Sequence, residues 1–211
     1  MNNKQSPFLA ILSRMDRIKR WNKSRPSKQE NLNDHSLHVA YICLLLGIKR
    51  EEMGTLPAVN PFELAMYGAF HDSQEAVCED ISGKYKRKNP ELNKLFKIIE
   101  KETSEDLISC LPTELQSTLR PYLRQDVADT LIKDLVKAAD ILQALSYIYS
   151  ELSAGCADFV DAKKEQEELL QPFLEKYPEV RFVYETFIGT FSCNFDQLVD
   201  MLPNRQITVE L

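Results

Sequence analysis

Residues 126–154 place the strongest limit on the fold, because Leu131, Leu135, Ala138, Leu142, Leu145, Tyr149 and Leu152 recur at three- and four-residue intervals. The spacing predicts one long helix ending near Gly155, with an apolar stripe that only other packed elements can cover. One residue breaks the pattern. Asp140 lies in Leu135-Val136-Lys137-Ala138-Ala139-Asp140-Ile141-Leu142, where a carboxylate without a partner is costly to bury. A metal ion explains that placement more readily than chance does.

The rest of the chain reads as the helices that cover this stripe. Phe8, Leu9, Ile11, Leu12, Met15 and Ile18 form a helical stripe within residues 6–21. Asp34 is expected to cap a helix over 35–46, with Gly47 as its stop and a loop over 49–59. Asn60, Pro61 and Glu63 stand at the N-cap, N1 and N3 positions of a further helix, expected to run to about Glu75. Residues 79–89 read as a basic loop. Asn89-Pro90 opens the next helix, with Leu92, Leu95, Phe96, Ile98 and Ile99 facing inward, and Pro112 a shorter one. Residues 157–171 and 178–188 complete the set, separated near Pro172 and Pro178. Only six glycines and few alternating β-branched runs argue against an all-β fold. The expectation is an all-α single domain of roughly seven to nine helices over residues 1–211. Its core spans about 6–190, with 191–211 as a C-terminal extension.

Composition narrows the function classes. The 211 residues include 26 basic and 32 acidic side chains, a net charge of −6, which disfavours general nucleic-acid binding. The five cysteines are scattered without a C-x-x-C pair, which fits a reducing, cytoplasmic setting. The longest apolar stretch, residues 39–48, is about half a membrane span, so no membrane partner is expected.

Against that background His71-Asp72 stands at the end of an apolar helical run, with Glu75 three and four residues on, within reach of the same helix face. Imidazole nitrogen and carboxylate oxygen together suit one divalent ion such as Co, Mn, Zn, Fe or Ni. An adjacent pair cannot complete such a site. His35 upstream and Asp140 downstream can, leaving positions for water and substrate, with Glu75 placed to handle a proton. Two of the chain's three histidines thus fall where the pattern needs them, and His38 reads as a polar packing residue.

The ordered set His35, His71-Asp72, Asp140 resembles the HD-domain phosphohydrolases. Longer stretches are similar to the bacterial HD-domain 5′-deoxynucleotidases: Arg20-Trp21, Glu30-Asn31 with Asp34-His35-Ser36-Leu37, His71-Asp72-Ser73-Gln74-Glu75, Asp80-Ile81, Leu135 to Asp140, and Glu151 to Gly155. The resemblance implies that His35, His71, Asp72 and Asp140 hold one divalent metal and that Glu75 activates water or relays its proton. It implies that Arg20 orients the phosphate and Trp21 lines the sugar-phosphate pocket. Asp80, Ile81, Ser82 and Gly83 would meet the nucleoside, excluding a 2′-hydroxyl. The substrate is then a deoxynucleoside 5′-monophosphate, and the protein a homodimer.

The chain departs from that family after Glu75, where Asp80 and Lys86 are kept but two prolines and a glycine are replaced. Lys84, Lys86, Arg87 and Lys88 read first as a solvated basic loop. The alternative is a set of cations for a longer phosphate chain, making the protein a deoxynucleoside triphosphate triphosphohydrolase. A non-catalytic nucleotide-binding protein is the reading from another class. The intact set of His35, His71, Asp72, Glu75 and Asp140 disfavours it.

Overall fold

A computed structural model describes residues 5–79 and 83–203, and among them every element longer than a single bridge is a helix. In chain order these are α1 (Phe8–Leu12), α2 (Leu32–Glu52), α3 (Pro61–Phe70), α4 (Glu75–Cys78), α5 (Gly83–Lys88), α6 (Pro90–Ser109), α7 (Thr113–Leu123), α8 (Thr130–Ser153), α9 (Val160–Lys176), α10 (Pro178–Phe187) and α11 (Phe195–Asp200). Seven have ten residues or more, in line with the all-α expectation.

The long helix is α8, and it lies at the centre. Asp129 caps it through Ile132 N–H, three residues later than the start expected at 126, where a short 3-10 turn stands instead. Gly155 follows its end with φ 87°, a left-handed conformation glycine adopts without strain. Leu135, Ala138, Leu142 and Leu145 are buried against Val39, Cys43 and Leu46 of α2, Leu64 of α3, and Leu170, Val180 and Val183 of α9 and α10. A smaller apolar cluster joins Phe8 to Leu107, Ile108, Leu111 and Leu123.

Several boundaries differ from the sequence expectation, each for a local reason. Helix α2 begins at Leu32, because Asn31, not Asp34, caps it by accepting from Asp34 N–H. It then runs through Gly47 to Glu52. A Cβ at Gly47 would stand 2.6 Å from Pro61 Cα, so glycine here admits α3 to close range and does not end the helix. Pro172 lies inside α9, which the burial of Leu170 and Leu174 on either side holds together. The stripe of residues 6–21 is helical only through Leu12, with a 3-10 turn over Ser13–Arg17. The supposed basic loop contains α5. In α6 the buried side chains are Thr103, Ser104, Leu107 and Ile108, whereas Leu95, Ile98 and Ile99 are each at least 42% exposed. Only the second half of α6 reaches the core. His38 is exposed, its ring 6.2 Å from that of Tyr41.

Candidate metal centre

Three elements bring the expected ligands together. α2 carries His35, the turns after α3 carry His71 and Asp72, and α8 carries Asp140. The crossing of α2 and α3 is set by a second glycine. A Cβ on Gly68 would lie 2.8 Å from Cys43 Sγ and 3.0 Å from Ala40 Cα. The Gly68 carbonyl also accepts from His71 Nδ1 at 2.7 Å. It is the acceptor a continued helix would offer to Asp72, and α3 ends at Phe70. Successive three-residue turns, such as Glu75 N–H to Asp72 O at 3.0 Å, carry the chain into α4. The expected unbroken helix from 61 to 75 is therefore two helices with a tighter connection between them.

The resulting cluster is close. His35 Nε2 lies 3.1 Å from His71 Nε2, 3.7 Å from Asp72 Oδ2 and 3.3 Å from Asp140 Oδ1, and His71 Nε2 lies 3.0 Å from Asp72 Oδ2. Ligand atoms of His35, His71 and Asp72 all fall within 4.8 Å of one another, a grouping that could hold a metal ion. Asp140 adjoins it through His35 and also accepts from Lys137 Nζ at 2.6 Å.

The donor set fits a cation. A backbone carbonyl only accepts, so His71 Nδ1 donates, and the ring when neutral turns a bare Nε2 into the cluster. His35 does likewise, its Nδ1 meeting Gln143 Oε1. Two imidazole lone pairs and two carboxylates then converge. A proton shared between two of these acceptors leaves the others, whereas one divalent ion can meet all four.

Charge around the cluster follows from the packing. Burial pulls His35 below its usual pKa, and the Arg20 guanidinium adds to that. Burial also opposes charging His71, but the Asp72 carboxylate outweighs it and raises that pKa. Burial would push Asp140 up; Lys137 and His35 hold it well below the usual carboxylate range. His71 does the same for Asp72.

Arg20 sits at the rim, with Nη1 3.6 Å from Asp72 Oδ2, Nη2 3.9 Å from Asp140 Oδ1 and Nε 3.3 Å from Glu30 Oε2. A bridge between Lys19 and Asn31 holds it there, with Arg20 N–H donating to Glu30 O at 3.0 Å. Trp21 follows with φ 55°, an uncommon conformation for a bulky residue. Its Nε1 donates to Glu30 Oε2 at 3.0 Å, and its ring stacks on Tyr147 at 5.8 Å and meets Phe159 edge-on at 5.4 Å. Glu75 begins α4, buried, near enough to raise the Arg20 pKa alongside Asp140, Asp72 and Glu30, which together outweigh burial. A cleft of about 200 Å³ opens beside the cluster, lined by His71, Asp72, Gln125, Lys133, Val136, Lys137 and Asp140.

Asp80, Ile81 and Ser82 lie outside the described residues. Gly83 opens α5. Lys86 donates to Glu100 Oε1 at 2.9 Å and lies over the Phe96 ring. Sequence reasoning missed Gln143, which joins His35 to Glu30, and gave no separate role to Glu30 or Lys137. The signal for Gln143 was present: it is a second polar residue in an apolar run, three positions after Asp140 on one helix face.

The description of YfbR-like 5′-deoxynucleotidases matches residues 7–191. A 5′-deoxynucleotidase of Vibrio parahaemolyticus is 35% identical over 196 residues, covering 92% of this chain and 99% of that one. One from Yersinia pestis is 36% identical over 195 residues, covering 92% and 96%. Among solved structures, a Listeria innocua HD-domain phosphohydrolase superposes with TM-score 0.74 at 21% identity over 87% of each chain. A cyanophage S-2L HD phosphohydrolase bound to dA and one catalytic Zn²⁺ gives TM-score 0.63 at 18% identity, covering 86% and 96%. At those identities the structural likeness is one of fold. The family match and the two relatives extend over nearly the whole sequence: this chain belongs to the YfbR-like 5′-deoxynucleotidase family.

Proposed function

We propose that the protein is a metal-dependent 5′-deoxynucleotidase that hydrolyses deoxynucleoside 5′-monophosphates to deoxynucleoside and phosphate. The observation that carries this is the convergence of His35, His71, Asp72 and Asp140, with Arg20 against both carboxylates, in a chain about 35% identical to named 5′-deoxynucleotidases along 92% of its length.

His35, His71, Asp72 and Asp140 would hold one divalent ion, from Co, Mn, Zn, Fe or Ni. When bound, such an ion supplies Lewis acidity at a phosphoryl oxygen and makes a water more acidic. Arg20 orients the phosphate at the cluster's rim. Lys137, held by Asp140, adds a cation beside the cleft. Glu75 takes and returns the proton of the attacking water. Trp21, stacked on Tyr147, supports one wall of the sugar pocket. From the family resemblance, Asp80, Ile81, Ser82 and Gly83 are assigned to recognising the sugar and rejecting a ribose 2′-hydroxyl.

The shorter substrate is supported by Lys86. A triphosphate would need free cations along its length, and Lys86 is engaged with Glu100 and Phe96. A homodimer also belongs to this proposal, supported by the exposed apolar row Leu37, Tyr41, Leu45 and Ile48 along α2. No helix among the described residues is long and apolar enough to cross a membrane, and a cytoplasmic setting completes the assignment. A single domain whose core ends near residue 190 belongs to the same proposal.

Phosphorus NMR tests the substrate. Orthophosphate should appear from dAMP, much faster than from AMP. Tripolyphosphate from dATP with dAMP untouched would identify the triphosphohydrolase instead, and equal rates on dAMP and AMP would leave a generic phosphatase.

A further inference from the structure

We propose that Glu30 and Gln143 are positioning residues that keep the proton of His35 on Nδ1, so that Nε2 meets the metal site bare. This assignment rests on the metal-site reading above. The His35 ring is fully buried, so protein groups alone determine where its proton sits. Its Nδ1 meets the side-chain amide of Gln143. An amide is nearly the same shape either way round, and its direction must come from its other neighbour. That neighbour is Glu30, whose Oε1 lies 2.6 Å from Gln143 Nε2.

A carboxylate only accepts, so the amide nitrogen points to Glu30 and the amide oxygen to His35. An amide oxygen also only accepts, so Nδ1 carries the proton. The neutral ring then presents a bare Nε2, the atom 3.1 Å from His71 Nε2 and 3.3 Å from Asp140 Oδ1. A reversed amide would offer N–H to Nδ1, move the proton to Nε2 and remove the ligand. Glu30 is itself held by Arg20 Nε at 3.3 Å and Trp21 Nε1 at 3.0 Å, both on Oε2. Glu30 is 6% exposed and Gln143 1%, which leaves water little chance to replace either bond. The direction of one proton thus passes from Arg20-Trp21 through Glu30 and Gln143 to His35.

The test combines ring nitrogen-15 NMR of histidine-labelled, metal-free protein with cobalt(II) affinity measured by chelator competition. Wild-type His35, assigned by substitution, should be protonated at Nδ1. Glu30→Gln and Gln143→Leu should each yield a tautomer mixture or protonation at Nε2, and weaken cobalt(II) binding by about 10–100-fold. The exchanged pair Glu30→Gln with Gln143→Glu keeps every donor opposite an acceptor, and should recover the Nδ1 proton and the lost affinity. A packing role alone would not be restored by that exchange. Protonation of wild-type His35 at Nε2, single variants with unchanged tautomer and affinity, or an exchange that recovers neither would overturn the proposal. If wild-type protein binds no cobalt(II) yet shows the Glu30-dependent tautomer, the metal-site reading fails and the positioning role stands.

Discussion

At the scale of single residues, the site separates groups that would bind an ion from a group that would move a proton. Asp140 and His71 belong to the ligand cluster, so Asp140→Asn and His71→Ala should each abolish retained metal and phosphatase activity. The helical content should be kept. Elemental analysis with far-ultraviolet dichroism checks this, and unchanged metal content in both would remove them from the ligand set. Glu75 is buried beside Arg20 and is absent from the closest ligand grouping. Glu75→Ala should therefore keep its metal and lower kcat by about 10²–10⁴-fold, the usual contribution of a general acid or base. A near-normal kcat would place the proton transfer elsewhere.

At the scale of elements, the site depends on how closely α2 and α3 approach. Gly68→Ala would drive a methyl into Cys43 Sγ and the Ala40 backbone at 2.8–3.0 Å. The helices must part, which should cost about 1–3 kcal/mol and weaken metal binding by displacing His71. Urea unfolding and metal titration of one variant test both effects, and loss of neither would mean that the crossing is more tolerant than its geometry suggests. A second junction lies at the other end of α2, where Arg50, 3% exposed, pairs with the fully buried Glu179 of α10 at 2.5 Å. Glu179→Ala leaves that guanidinium buried without its carboxylate. A loss of about 3–5 kcal/mol is expected in denaturant unfolding, and a change under 1 kcal/mol would show that water reaches Arg50.

At the scale of the whole molecule, the candidate ligands come from three elements far apart in the chain, and no unfolded chain can hold them together. An ion bound there stabilises only the folded state. At a hundredfold excess over Kd the gain is about 2.7 kcal/mol, or roughly 5–10 °C in Tm for a chain of this size. Calorimetry with and without a chelator measures it, and an unchanged Tm would count against the site.

Much of this was legible in the residues alone, because short-range patterns are written locally. The period of α8, the Asn60-Pro61-Glu63 start and the Asn89-Pro90 start each depend on neighbours within one or two turns, and all appear as expected. The cluster of His35, His71, Asp72 and Asp140 was legible too, since His71-Asp72 and Asp140 stand out against apolar helical runs and His35 completes the ordered pattern. Tertiary packing decided the rest. Gly47 has the sequence signature of a helix stop, yet it serves the close approach of Pro61, and Leu95, Ile98 and Ile99 have core spacing on a half of α6 that leaves them exposed. The link from Trp21 through Glu30 and Gln143 to His35 joins residues 113 and 108 positions apart. No local pattern specifies such a pairing: a hydrogen bond's direction depends on which acceptor the folded backbone places opposite, and that is a property of the packed molecule.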